Sequence, residues 1–79
     1  MSKDPKILDL TGYRCPVPVI RLEAALRSLS KEAQLTVFAD DPVAVIDIPL
    51  ACREGGHDCA RLPDREGFCV FQVTRGGKA

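Results

Sequence analysis

The apolar period of this chain changes twice within its first half, and that restricts the fold more than any single residue does. "KILDL" (Lys6 to Leu10) alternates, with Leu8 and Leu10 on one side and Asp9 on the other, as a strand does. From Val19 the spacing lengthens: Val19, Leu22, Leu26 and Leu29 form one helical stripe, with Arg21, Glu23, Arg27 and Lys31 largely off it. Pro18 suits the first helical position, and the helix is predicted to end near Ser30. "AQLTVFA" (Ala33 to Ala39) then alternates again. A strand, a helical crossover and a second strand leave the two strands parallel in one sheet.

The second half adds a helical region and two strands. Asp41-Pro42 reads as an N-cap followed by proline at the first helical position, and Asp47-Ile48-Pro49 repeats the pattern. Because a mid-helix proline breaks the backbone ladder, the reading is a helical turn at 42–46 and a separate helix from about Ile48 to Glu54. Gly55 or Gly56 closes it. "HDCARL" and "FCVFQVT" are strands, joined through "PDREG" by a hairpin longer than a two-residue turn. The expected fold is α+β: a βαβαββ two-layer sandwich with a four-stranded mixed sheet and both helices on one face. Leu8, Leu10, Leu35, Val37, Cys69, Phe71 and Val73 should face the helices. Phe38, Phe68 and Val70 fall on the other side, as a contact patch or as residues partly buried under loops.

Seventy-nine residues allow one domain, 1–79, with an ordered core of about 6–74. Eleven basic residues balance eleven acidic ones, which removes the electrostatic footprint of a non-specific nucleic-acid binder. No apolar leader or spanning segment is present, so the expectation is a cytoplasmic protein without membrane insertion, its four cysteines reduced.

The chemistry then narrows to "GYRCPVPVIRL". Cys15 stands just before a helix whose entrance Pro16 and Pro18 stiffen. A helix N-terminus favours an anion by about 0.3–1 kcal/mol. With Arg14, and Arg21 close by, the thiol is expected to ionise near about 7.5 rather than 8.5. Pro18 occupies the place where a dithiol motif needs its second cysteine, and nothing in the sequence sets His57 beside Cys15. What remains is one activated thiol that can accept an atom and pass it on. Cys52 and Cys69 fall in step with core positions, while Cys59 is not assigned by its position. Cys52, His57 and Cys59 lack the paired spacing of zinc sites, so neither metal nor cofactor is expected. Asp41 and Asp47 are accounted for as helix caps.

"LDLTGYRCPVPVIRLEAALRSL", with "ADDPVAVIDIPLACREGGH" after it, closely resembles the TusA/SirA-type sulfur-carrier family, whose hallmark is Cys-Pro-x-Pro at the start of the first helix. The likeness covers roughly Lys6 to Thr74, with one departure at Val17, where several members carry an acidic residue. The resemblance implies the same βαβαββ sandwich and a sulfurtransferase-type carrier that holds sulfane sulfur on Cys15 as a persulfide. It implies a donor protein, a cysteine desulfurase or rhodanese, and an acceptor in tRNA thiolation, sulfur oxidation or cofactor assembly. On this reading the carrier is a monomer without a substrate pocket, Arg14, Pro16, Pro18 and Arg21 support Cys15, and no direct nucleic-acid contact is expected. Two other readings stand beside it: an RNA- or protein-binding regulatory module, the fold being shared with a ribosomal-RNA-binding initiation-factor domain, or an accessory protein of a sulfur-compound transporter.

Overall fold

The computed structural model describes residues 6–76. In chain order the elements are β1 (Lys6–Asp9), α1 (Val17–Arg27), β2 (Gln34–Ala39), α2 (Ala44–Glu54), β3 (Asp58–Arg65) and β4 (Phe68–Thr74). The strands form one sheet in the order β1-β2-β4-β3. The crossover through α1 makes β1 parallel to β2, while β4 runs antiparallel to both β2 and β3. This is the expected α+β, two-layer arrangement.

Strand register explains which face is buried. Leu35 pairs with Val73, Val37 with Phe71 and Ala39 with Cys69, so these alternate residues share the helix-facing side. Leu22 and Leu26 of α1 and Ala44, Ile48 and Cys52 of α2 close over them, with Leu10 completing the cluster. The buried stripe of α1 is rotated slightly from its expected position. Pro18, Leu22 and Leu26 are buried, whereas Val19 is only half-buried and faces the groove between the helices. The helix also ends earlier than expected, at Arg27. Ser28 turns its N–H onto Ala25 and Leu29 bonds back to Leu26, so Leu29 reaches the core from just beyond the helix. Arg75 Nε donates to the Leu26 carbonyl at 2.7 Å, placing a cation at the helix C-terminus where the dipole favours it.

Two local expectations are overturned. The region after Asp41 is one continuous helix through Pro49, not a turn followed by a second helix. An interior proline costs about 3 kcal/mol in an isolated helix. Here Ala44, Ile48 and Cys52 fall one turn apart across it and are all buried, and burial of Ile48 alone returns about 1.5–3 kcal/mol. The stripe therefore holds the helix together across the missing N–H. The hairpin is also tighter than expected. β3 continues through Pro63 to Arg65, and the turn is Glu66-Gly67, with φ values of 43° and 90°. Two successive positive φ values are what a tight two-residue hairpin demands, and the glycine adopts one freely. Pro63 fits because β3 is an edge strand whose register slips between Leu62 and Arg65.

On the outer face, Leu62, Val70 and Phe38 sit in one cross-strand row, and Val70 is only 3% exposed. The Phe38 and Phe68 rings lie 5.0 Å apart, with the Arg65 guanidinium 5.7 Å from the Phe38 centroid. Local side chains thus cover most of the expected apolar patch, and Ile7 is the exposed apolar residue of this face.

The rotated stripe has a direct test. Leu22→Ala should destabilise the fold by about 2–5 kcal/mol, whereas Val19→Ala should cost less than about 1 kcal/mol. Urea unfolding of both variants checks this, and equal losses would place the stripe on the wrong residues.

Candidate functional site

Parallel pairing of β1 and β2 brings the segments that leave their C-terminal ends side by side, and Cys15 lies there. The loop from Leu10 to Pro16 is tied down by carboxylates at both strand ends. Asp9 Oδ1 accepts the Thr11 N–H at 3.0 Å and the Thr11 hydroxyl at 2.6 Å. Gly12, at φ +88°, turns its N–H onto Asp40 Oδ1 at 3.0 Å, a backbone shape that suits glycine. The decisive tie is Asp41. It is the buried charged residue of the core, 4% exposed, and both of its oxygens are engaged. Oδ2 accepts the Cys15 N–H at 2.7 Å and Oδ1 accepts the Val43 N–H at 3.1 Å. The Asp41 carbonyl also accepts the Ala44 N–H at 3.0 Å, so Asp41 ties the turn leading into α2, whose N-cap is Val43, without a side-chain cap, rather than Asp41 as the sequence suggests. Asp41 also fixes the backbone of Cys15, which no local pattern indicates.

Cys15 is exposed, and its peptide to Pro16 is cis. Its thiol donates to Asp47 Oδ2 at 3.5 Å. Partial desolvation, this hydrogen bond and the charges of Asp47 and Asp41 push the thiol pKa up, opposite to the expected lowering. Three features explain the reversal. Pro16 and Pro18 have no N–H, and Val17 gives its own to the Arg14 carbonyl at 2.9 Å, so the helix start offers the sulfur few donors. Arg14 turns away to ion-pair with Asp40 at 3.0 Å and to donate to the Tyr13 carbonyl. Arg21 lies over the Tyr13 ring, 4.5 Å from its centroid. Asp40 itself is held below the usual carboxylate range, chiefly by the Gly12 N–H, with Arg14 adding to it. Pro16 forms the N-cap of α1, and Pro18, at the second helical position rather than the expected first, is buried.

The sequence therefore locates the reactive thiol but not the groups that govern it. The pattern that makes Asp41 and Asp47 helix caps does not hold for Asp47, which sits inside the first turn of the continuous α2, and folding brings both carboxylates to Cys15. Around the thiol, exposed apolar residues stand beside the charged Arg14, Asp40 and Asp47. Tyr13, Val17 and Ile20 on one side and Val43, Ile46 and Leu50 on the other are all exposed, Ile46 by 69%. Next to Pro16 a cleft of about 210 Å³ opens between the helices, lined also by Val19, Glu23, Asp47, Leu50, Ala51 and Glu54. A larger hollow of about 420 Å³ lies at the opposite helix ends, by His57 and Arg75, away from Cys15.

The remaining thiols occupy other surroundings. Cys52 is fully buried, and desolvation with Cys59 alongside pushes its pKa from 9.0 up to about 12. Cys59 packs half-buried against the same core, where burial raises its pKa while a hydrogen bond with Cys52 opposes that. Cys69 accepts a hydrogen bond from Arg61 Nη2 at 3.3 Å. His57 Nδ1 accepts the Gly76 N–H at 2.9 Å. Among the described residues, no three His, Cys, Asp or Glu side chains converge as metal ligands. Nor is any described helix long and apolar enough to cross a membrane.

Comparison with known proteins agrees with this architecture. The family described as "Sulfurtransferase TusA" matches residues 6–75. The sulfur carrier protein TusA of Pseudomonas putida is 35% identical over 69 residues, covering 87% of this chain and 86% of that protein. YrkI of Bacillus subtilis is 32% identical over 74 residues, covering 94% and 99% respectively. The crystal structure of a SirA-like protein from Desulfitobacterium hafniense superposes with a TM-score of 0.78 at 25% identity, over 89% of this chain and 96% of that one. The α+β two-layer fold of this chain matches that SirA-like structure. The chain belongs to the TusA sulfurtransferase family.

Two outcomes follow from the site. Asp41→Ala removes a buried carboxylate that holds two backbone N–H groups, and should cost about 1.5–3 kcal/mol of stability in urea unfolding. Cys52 makes the fold sensitive to alkali. Its folded pKa lies above its unfolded one, so its contribution is complete below pH 9 and is lost as the pH climbs towards about 12. The melting temperature should fall across that window, and less steeply in Cys52→Ala.

Proposed function

We propose that this chain is a sulfur carrier that accepts sulfane sulfur as a persulfide on Cys15 and hands it to an acceptor protein. The observation that carries the reading is the isolation of an exposed cysteine on a fixed backbone. Its thiol bonds to a carboxylate rather than to a second thiol or a histidine. A dithiol cycle or a cysteine–histidine hydrolysis needs a partner that this site does not contain, whereas a relay needs only one sulfur presented in a steady position.

The steps balance without an outside oxidant. In loading, Cys15 loses its proton and its thiolate attacks the outer sulfur of a donor persulfide. A new S–S bond forms on Cys15, the donor's S–S bond breaks, and the donor leaves as a thiolate. In delivery an acceptor thiolate attacks the same outer sulfur, and Cys15 departs as a thiolate and regains a proton. Cysteine desulfurases and rhodaneses are donors with the required persulfide. The exposed apolar residues on both sides of Cys15 give such a partner a surface to rest on, and the carboxylates at the site disfavour the polyanionic backbone of RNA.

Intact mass spectrometry after incubation with a cysteine desulfurase and cysteine, or with a thiosulfate-charged rhodanese, tests the proposal. One reducible sulfur atom should appear on the wild type and be absent from Cys15→Ser, while Cys59→Ser loads normally. Retention of the added sulfur in Cys15→Ser would refute the assignment.

A further inference from the structure

Asp47 is the carboxylate that meets the reactive sulfur directly. Its Oδ2 lies 3.5 Å from Cys15 Sγ, while Asp41, the other carboxylate acting on this thiol, is occupied with the Cys15 and Val43 N–H groups. The remaining charged groups near the loop point elsewhere. Arg14 pairs with Asp40, Arg21 stacks on Tyr13, and Glu23 lines the cleft beside Pro16 together with Asp47. No cation offsets Asp47 at the sulfur among the described contacts. Its position also follows from the fold, since the continuous α2 points the residue back towards the end of β1.

We propose that Asp47 is a catalytic residue of the relay: by accepting the S–H hydrogen bond of Cys15 it keeps the sulfur protonated and restrains its exchange with partner persulfides and thiols. The proposal rests on the carrier reading and assigns a brake to it. Loading requires the Cys15 thiolate, so a group that retains the proton slows attack on the donor persulfide. In release the acceptor thiolate attacks the outer sulfur of Cys15–S–SH, the S–S bond breaks, and the Cys15 thiolate that departs regains a proton and returns its S–H to Asp47. The carboxylate disfavours that thiolate as leaving group just as it disfavours it as nucleophile, so it restrains sulfur exchange in both directions. No net oxidation or reduction occurs.

A merely structural role would leave the pH profile of the thiol where it is, whereas this role shifts it. The experiment measures three rates on wild type, Asp47→Asn, Asp47→Glu and the exposed β3 variant Asp58→Asn. Iodoacetamide alkylation of Cys15 followed against pH should be about three- to tenfold faster at about pH 7.5 in Asp47→Asn, as removal of one adjacent negative charge requires. Loading from a charged rhodanese should quicken in that variant, and so should discharge of the loaded protein to free cysteine, each read by intact mass. Asp47→Glu should recover part of the wild-type behaviour, and Asp58→Asn should match the wild type. Coincident alkylation profiles for wild type and Asp47→Asn, or loading that slows in Asp47→Asn, would overturn the proposal. If the wild type takes up no sulfur at all, the carrier reading fails, and the alkylation profiles still decide whether Asp47 controls the thiol.

Discussion

The buried carboxylate of Asp41 is the interaction on which the site depends. One side chain joins three parts of the chain: the end of β2 that carries it, the loop leaving β1 and the start of α2. Its two oxygens hold the Cys15 and Val43 N–H groups at 2.7 Å and 3.1 Å. A charge this buried is tolerable only when its lone pairs are used, and both oxygens here receive a backbone donor. The cost of burial is thereby turned into a fixed backbone at the cysteine, although the cysteine side chain stays in solvent.

That arrangement depends in turn on the parallel β1–β2 pair. An α-helical crossover makes the two strands exit at the same end of the sheet, and open sheets with such crossovers commonly place their chemistry at the C-terminal strand ends. In a chain of 79 residues there is little core to spare, and the helices are held to the sheet by a single cluster from Leu10 to Val73. The same two helices carry the exposed apolar residues Val17, Ile20, Ile46 and Leu50, with Tyr13 and Val43 just before them. Packing and presentation are thus divided across each helix: one side closes the core and the other faces outward.

Much of this was legible in the sequence because it is periodic. Alternation in β1, β2 and β4 and the three-and-four spacing of Leu22, Leu26 and Leu29 determine the sandwich, and Cys-Pro-x-Pro marks Cys15. What escaped was not periodic. Pro49 looked like a helix boundary because its own cost is local, while the Ala44–Ile48–Cys52 stripe that offsets it becomes decisive only against the sheet. Glu66-Gly67 was hidden because Pro63 made β3 look finished too early. The electrostatics of Cys15 escape a sequence reading for a related reason. Arg14 is next to it in sequence but pairs with Asp40, whereas Asp47 is 32 positions away and touches the sulfur. A charge adjacent in sequence is a poor guide to the charge adjacent in space.

The central claim is that Cys15 is a relay point rather than an end point for sulfur, and a label chase tests it most directly. The protein would be loaded with isotopically labelled sulfur by a desulfurase, separated from the donor, and mixed with reduced, unlabelled rhodanese. The account requires the label to leave Cys15 and appear as a persulfide on the rhodanese cysteine, with the carrier returning to its unloaded mass. Label that stays on the carrier, or that escapes only as free sulfide without reaching the second protein, would contradict it.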